Sequence, residues 1–332
     1  MEKNLTSLID KIIEKLGHIE VLGSDNLQIT DVTADSRTVI PGSLFICLKG
    51  ATVDGHKFLK SAVEKGAVAA LVEDVPEDFP MGATLLKVED TRKAMEVVTP
   101  FFYDYPGKKM RMIGLTGTNG KTTTTNIIRT ILRKAGHKVG LIGTINIMIE
   151  DEVTVSHNTT PDVVDLQKNL FAMEQAGCDY VVMEVSSHAL ALKRVAGCEY
   201  DCAVLTNITQ DHLDFHKTME NYRDAKSLLF ENLSDGNKPN KNAVFNMDDP
   251  SSEIIKSRTQ VPCLTYGKAD TNDIYPLSFS VRAKGMELKL KTPVGEIDLD
   301  LKITGEFNVY NVMAAVGALL AEGIDKEVIV SV

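Results

Sequence analysis

Apolar residues near the start of the chain recur three and four positions apart, at Leu5, Leu8, Ile9, Ile12, Ile13 and Leu16. That spacing predicts a helix over 1–16 with one buried side. Short apolar runs at 29–33, 43–48, 67–72 and 84–88 predict strands, with helices near 55–65 and 90–103. Tyr105-Pro106-Gly107 is a turn-rich linker, so 1–107 reads as a small α/β domain. Beyond it the strand candidates are more fully apolar, at 110–115, 139–142, 180–185, 203–206 and 243–246. Such runs alternating with helices, among them 163–175, 219–229 and one from 307 to 322, indicate a mostly parallel sheet covered on both faces. Segments 264–267, 277–283, 286–291 and 295–303 read as a β-rich extension, a hairpin packed on that sheet, and a last helix is predicted at 324–330. The expected fold is α/β: a small N-terminal α/β domain, then a central domain over 108–332 with a P-loop-type parallel sheet flanked by helices.

The first strand of the central domain runs into Gly117, Thr118, Asn119, Gly120 and Lys121, then Thr122 and Thr123, and a helix whose apolar side holds Ile127, Ile128, Ile131 and Leu132. Strand, small-residue loop, Lys-Thr and helix make a candidate phosphate site. The small residues let backbone N–H groups face the phosphates, the helix N-terminus adds partial positive charge, Lys121 adds a full one, and Thr122 can reach a magnesium ion. The usual GxxxxGK(S/T) pattern would place glycine at Leu115, whereas Gly114 stands one residue earlier. An ordinary glycine turn before a helix is the bland alternative.

Chemistry is then expected at the same sheet edge. Glu184 follows an apolar strand, and a carboxylate there needs a cation or hydrogen bonds, so it is either a magnesium ligand or a buried ion-pair partner. Gln210-Asp211-His212-Leu213-Asp214-Phe215-His216 follows another strand, and His212 is a candidate metal ligand without the spacing of a structural zinc site. Lys226 lies among apolar neighbours on a helix, where a solvent-facing lysine is equally plausible. Asn158, Thr159, Thr160 and Pro161 precede a helix, Thr160 and Pro161 fitting an N-cap and first turn whose N–H groups would face an anion. Asn308 and Asn311 share a helix face and carry donors and acceptors suited to an adenine edge, although capping would explain one of them. In the N-terminal domain, Ser36 and Arg37 suit a sugar or base edge and a phosphate, against a reading as surface turns.

Composition narrows the partners. The chain has 332 residues, 43% apolar and 25% charged, with a formal net charge of -10, a poor match for non-specific nucleic-acid binding. Its five cysteines form no CxxC pair or zinc spacing and suit a reducing compartment. No apolar run is long enough to span a membrane, and the N-terminus reads as an amphipathic helix and not a secretory signal, so a cytoplasmic location is expected.

Gly117-Thr118-Asn119-Gly120-Lys121-Thr122, Glu184-Val185-Ser186-Ser187-His188, the 211–216 run, Lys226 in its helix and Phe307-Asn308-Val309-Tyr310-Asn311 together resemble the Mur ligases, ATP-dependent amide-bond ligases of peptidoglycan precursor synthesis. The resemblance runs in order along nearly the whole chain. Asp35-Ser36-Arg37, Gly42-Ser43-Leu44-Phe45, Asp54-Gly55-His56 and Asn158-Thr159-Thr160-Pro161 look like the members that add the third amino acid to UDP-N-acetylmuramoyl-L-alanyl-D-glutamate. It implies that the substrate carboxylate takes the ATP γ-phosphoryl group and that an amino-acid amine then displaces phosphate. By similarity Lys121 holds the phosphates, with Gly117, Thr118, Asn119, Gly120, Thr122 and Thr123 around them. Thr122 and Glu184 would hold one magnesium, and His212 with Lys226 a second. Lys226 looks like the lysine that family members carry as a carbamate. Asn308 and Asn311 would meet adenine, Ser36 and Arg37 the UDP, and Asn158, Thr159, Thr160, Ser186 and Arg194 the muramoyl peptide. Two residues before Arg194, some relatives have glutamine where this chain has Leu192.

Family members also carry a third domain that selects the incoming amino acid, with an Asp-Asn-Pro-Arg type motif that this sequence lacks. The expectation is therefore a chain, monomeric, that binds the UDP-dipeptide and ATP with Mg2+ but is weak or inactive as a ligase, its free amino acid being either diaminopimelate or lysine. The alternatives are a folate polyglutamating ligase of the same superfamily, a P-loop NTPase without an amine acceptor, and a non-catalytic binding fragment.

Overall fold

A computed structural model describes residues 1–50, 53–77 and 82–331. The chain divides into two compact units: Met1–Pro106 with Asp162–Phe171 and Val195–Gly197, and Gly107–Pro161 with Ala172–Arg194 and the chain from Cys198 onward.

In the first unit, helix α1 (Leu5–Leu16) starts where the Asn4 side chain accepts the Thr6 N–H and ends at Gly17. It buries Leu5, Leu8, Ile9 and Ile12, whereas Ile13 and Leu16, at the margin of the apolar stripe, are exposed. Strands β1 (Glu20–Leu22), β2 (Asp31–Thr33), β3 (Ser43–Ile46), β4 (Ala69–Val72) and β5 (Thr84–Lys87) form one sheet in the order β1-β5-β4-β3-β2. Only the β1–β5 pair is antiparallel. Helices α2 (Leu59–Glu64) and α3 (Thr91–Phe102) accompany it. The strand predicted at 29–33 is two pieces: Gln28–Ile29 pairs with Lys3–Asn4, and only Asp31–Thr33 joins the larger sheet. Strand β1 is too short for its periodicity to register.

The second unit is built on an eight-stranded sheet. Its strands are β6 (Arg111–Thr116), β7 (Val139–Ile142), β8 (Asn146–Ile149), β9 (Glu152–Val155), β10 (Tyr180–Glu184), β11 (Cys202–Leu205), β12 (Asn242–Asn246) and β13 (Cys263–Tyr266), in the order β9-β8-β7-β10-β6-β11-β12-β13. From β7 to β13 every pairing is parallel, and β8 and β9 add an antiparallel hairpin at one edge. The predicted parallel strands bury nearly every residue, as a sheet covered on both faces requires. The 264–267 segment joins this sheet as edge strand β13. The β8–β9 hairpin was not predicted, because its outer strand is wholly exposed and shows no buried face.

Helix α4 (Lys121–Lys134) follows β6, α5 (Val163–Gln175) precedes β10, and the short α6 (Ser187–Ala191) follows it. After β11 come α7 (Leu213–His216) and α8 (Met219–Asp235), which outruns its predicted end at 229, then α9 (Ser252–Lys256). Strands β14 (Tyr275–Arg282), β15 (Gly285–Thr292) and β16 (Gly295–Leu301) make a separate three-stranded antiparallel sheet where a hairpin on the main sheet was expected. Its inner face, with Met286, Leu288, Leu290, Ile297 and Leu299, joins one core cluster with helix α10 (Phe307–Ala321), α4 and the main sheet. Helix α10 is apolar almost all round and correspondingly buried. The short α11 (Lys326–Val330) starts two residues later than predicted.

Candidate active site

The strand ends β6, β10 and β11 bring the glycine loop, Glu184 and Thr206-Asn207 to one edge of the sheet. Gly117 has φ +146°, and a Cβ there would run into the Thr206 hydroxyl; Gly120 has φ +87°, and its Cβ would run into the Asn311 side-chain oxygen. Neither position tolerates another residue without movement. Thr206 and Asn207 then shape the loop. The Thr118 N–H donates to the Asn207 carbonyl at 2.7 Å, and the Asn119 N–H donates to the Asn207 side-chain oxygen at 3.0 Å. The hydroxyl of Thr206 donates to the Asn119 carbonyl at 2.7 Å. Gly120 is the N-cap of α4 and provides no side-chain cap, which leaves first-turn N–H groups open to an anion.

Lys121 folds back on this loop, its Nζ donating to the Gly117 and Thr118 carbonyls at 2.8 and 2.9 Å. Burial depresses its pKa, against the pull of Glu184 and Asp211. Lys226 comes from α8 to the same Gly117 carbonyl at 2.8 Å, with its ammonium 4.5 Å from the Tyr222 ring centre. Only 2% exposed, it is not the solvent-facing lysine that sequence left open. Burial pushes its pKa well below the ordinary lysine value, and the charge of Lys121 pushes the same way.

Glu184, 1% exposed, accepts the Thr122 hydroxyl at 2.9 Å and, from the bend after β7, the N–H and hydroxyl of Thr144, both at 3.0 Å. A Cβ on Gly143 would lie 2.5 Å from the carboxylate, so that glycine leaves its space open. Among the described residues the donors to Glu184 are neutral, and no lysine, arginine or histidine nitrogen forms an ion pair with it. A buried carboxylate surrounded by neutral donors favours a bound cation. No group of three or more His, Cys, Asp or Glu among the described residues could hold a metal by itself. The Thr122–Glu184 oxygens therefore fit a hard cation that draws its other ligands from outside the protein, such as phosphate oxygens.

His212 sits apart from that pair. It occupies a left-handed backbone position (φ 50°) at the start of α7, with Nε2 3.4 Å from the Asp211 carboxylate and its ring 4.8 Å from that of His188. His188 and His216 stand beside it, the latter 2.9 Å from the Ser187 hydroxyl, and burial lowers both their pKa values. Of the other sequence candidates, Asn311 donates to Asn308 at 2.7 Å, and Asn308 donates to the Thr304 carbonyl at 2.8 Å. Asn311 lies against Gly120 of the loop. Thr160 does not cap α5, whose first N–H is taken by Asp162; its hydroxyl donates to the Glu184 carbonyl at 2.9 Å and receives the Ser186 N–H. Ser186 caps α6, and Arg194 reaches the Thr160 carbonyl at 3.4 Å while its buried Nε lacks a partner. Thr159 lies 3.0 Å from Thr144, and Asn158 is exposed beside it. Ser36 and Arg37 belong to the first unit, where the exposed Arg37 guanidinium pairs with Asp35 at 2.7 Å.

A cavity of about 730 Å³ opens beside the loop, lined in part by Asn119, Thr123, Asn207, Asp248, Phe307 and Tyr310. Its volume and mixed walls suit a nucleotide-sized ligand. Asp248 and Thr144 were missed by sequence reasoning, and Tyr310 entered only as part of the 307–311 run; the one available signal was that Asp248 and Thr144 both sit just after apolar strands.

A model described as the Mur ligase middle domain matches residues 115–319, and one described as the Mur ligase family catalytic domain matches 28–103. The UDP-N-acetylmuramoyl-L-alanyl-D-glutamate–2,6-diaminopimelate ligase of Bacillus cereus is 46% identical over 325 residues, covering 97% of this chain and 65% of that protein. The ligase of the same name from Geobacillus thermodenitrificans is 46% identical over 318 residues, covering 95% and 64%. A solved structure of a ligase of that name superposes with TM-score 0.82 at 26% identity, over 100% of this chain and 66% of that one. The chain spans just under two thirds of the length of these relatives. With both units matched in order and the loop, Glu184 and Lys226 assembled at one sheet edge, the chain belongs to the Mur ligase family.

Proposed function

We propose that this chain binds ATP beside the glycine loop, binds UDP-N-acetylmuramoyl-L-alanyl-D-glutamate, and joins an amino acid to it as the third residue of a peptidoglycan precursor. The relatives above carry 2,6-diaminopimelate in their names, and that is the acceptor we assign. In this reading 1–107 is the UDP-substrate domain and 108–332 the ATP-binding domain of a cytoplasmic monomer, with no nucleic-acid or membrane partner. Among the described residues no helix is long and apolar enough to cross a membrane.

The observation that carries the reading is the buried Glu184 carboxylate, hydrogen-bonded among the described residues only to neutral donors, next to Lys121 and an uncapped helix N-terminus. The substrate carboxylate attacks the γ-phosphorus as its bond to the β-bridging oxygen breaks; ADP leaves, and an acyl phosphate remains. The amine then attacks the acyl carbon, phosphate departs with the C–O bonding pair, and the nitrogen gives up a proton. Lys121 exchanges its loop carbonyls for phosphate oxygens, and the open N–H groups of α4 hold the same charge. Thr122, Thr123, Gly117, Thr118, Asn119 and Gly120 frame the phosphates, and Asn308 and Asn311 turn their amides to adenine. Ser36 and Arg37 take the UDP; Asn158, Thr159, Thr160, Ser186 and Arg194 orient the muramoyl peptide. Thr122 and Glu184 would hold a magnesium ion, which when bound would supply positive charge against the phosphates. His212 and a carbamylated Lys226 would hold a second ion. The depressed Lys226 pKa favours the neutral amine, whose nitrogen adds to CO2 with release of one proton.

The test is product formation. With ATP, the UDP-dipeptide and 2,6-diaminopimelate, whatever phosphate is released, however slowly, should match the new amide and depend on both the UDP-dipeptide and the amine. Phosphate release indifferent to the UDP substrate would mark an NTPase instead.

A further inference from the structure

Thr144 is not among the residues assigned to nucleotide, metal or substrate, yet it touches two of those groups at once. It lies in the bend between β7 and β8. Its N–H donates to one Glu184 oxygen and its hydroxyl to the other, each at 3.0 Å, and the same hydroxyl oxygen is 3.0 Å from that of Thr159. The single Thr144 hydroxyl proton faces two acceptors, a Glu184 carboxylate oxygen and the Thr159 hydroxyl oxygen, and so links the two. Thr160, the next residue, also donates to the main-chain carbonyl of Glu184. The 158–160 loop is thus tied to Glu184 by both side chain and backbone.

From this juxtaposition we infer that Thr144 is a positioning residue that holds the Glu184 carboxylate for its cation and couples it to the 158–160 substrate loop. The inference rests on the proposed reading of Glu184 as a metal-bearing group and goes beyond it in naming what fixes its orientation. With both carboxylate oxygens held by one residue, Glu184 has little freedom to rotate between cation-bound and cation-free states. Occupancy of the loop can then be felt at the metal through the Thr159–Thr144 contact.

Manganese(II) serves as the probe, its affinity for the complex with a nonhydrolysable ATP analogue being read by electron paramagnetic resonance on the full chain. Thr144→Val keeps the β-branched shape and the backbone N–H but removes the hydroxyl. It should weaken manganese binding about tenfold, as expected for a lost hydrogen bond to a charged group, with metal-free nucleotide affinity unchanged. Thr144→Ser should restore it. Thr159→Val, which removes the second acceptor of the Thr144 proton, should change manganese affinity in the parent chain and change nothing further in the Thr144→Val background, the signature of one coupled pair. Manganese affinity equal in parent and Thr144→Val overturns the inference while leaving the Glu184 reading intact. Additive losses overturn the coupling. No manganese-dependent binding in the parent chain overturns both.

Discussion

Lys226 and Glu184 are both buried ionisable groups, and each is costly in its present surroundings. Lys226 has a carbonyl and an aromatic face for company, and burial with the nearby Lys121 charge drives it toward the neutral form. Its folded-state pKa lies below the unfolded one, so the unfolded chain binds the extra proton between those values and stability attributable to this residue rises with pH there. Thermal melts in CO2-depleted buffer should find Lys226→Met at least as stable as the parent at neutral pH, with the gap closing toward the ordinary lysine range. A large loss of stability at neutral pH would mean that the ammonium is a structural asset. Glu184→Gln keeps the shape and removes the charge. It should reduce magnesium-dependent nucleotide affinity about tenfold or more, measured by calorimetry with and without the metal. Lys226 illustrates what one-dimensional reading could not decide: a lysine among apolar neighbours on a helix can snorkel to water, and only the packing of α8 against the loop buries it.

The glycine loop works as an element because three strands end under it. Gly117 is held by Thr206, just past the end of β11, and Gly120 by Asn311 of α10, so the loop carries its shape before any anion arrives. Gly117→Ala should therefore cost about 1–3 kcal/mol in denaturant unfolding through overpacking, and also abolish nucleotide binding. Unchanged stability would mean that the loop readily shifts. The parallel strands and α4 were legible because near-continuous apolar runs and helical periodicity are local signals. The β8–β9 hairpin was not, since an exposed edge strand has no buried face to write in its sequence. Thr160 read as a helix cap for the same local reason; its actual partner, the Glu184 carbonyl, is supplied by another strand. The pairing of Thr144 with Glu184 depends on the order of strands in the sheet and left no trace in residue spacing.

At the scale of the molecule, the two units divide the proposed labour. Arg37→Ala lies in the first unit and should weaken binding of the UDP-dipeptide while leaving nucleotide affinity unchanged. Lys121→Ala should do the reverse, and an equal loss of both ligands in either variant would contradict the division. In the proposed function, Glu184, Thr122 and the glycine loop form a magnesium-dependent ATP site in a chain that also binds the UDP-dipeptide. Isothermal titration of the full chain with a nonhydrolysable ATP analogue tests it most directly, with and without magnesium and then with the UDP-dipeptide. Both ligands should bind saturably, with a nucleotide affinity that rises with magnesium in the parent but not in Glu184→Gln. Nucleotide binding indifferent to magnesium in both proteins, or no binding at all, would contradict this reading.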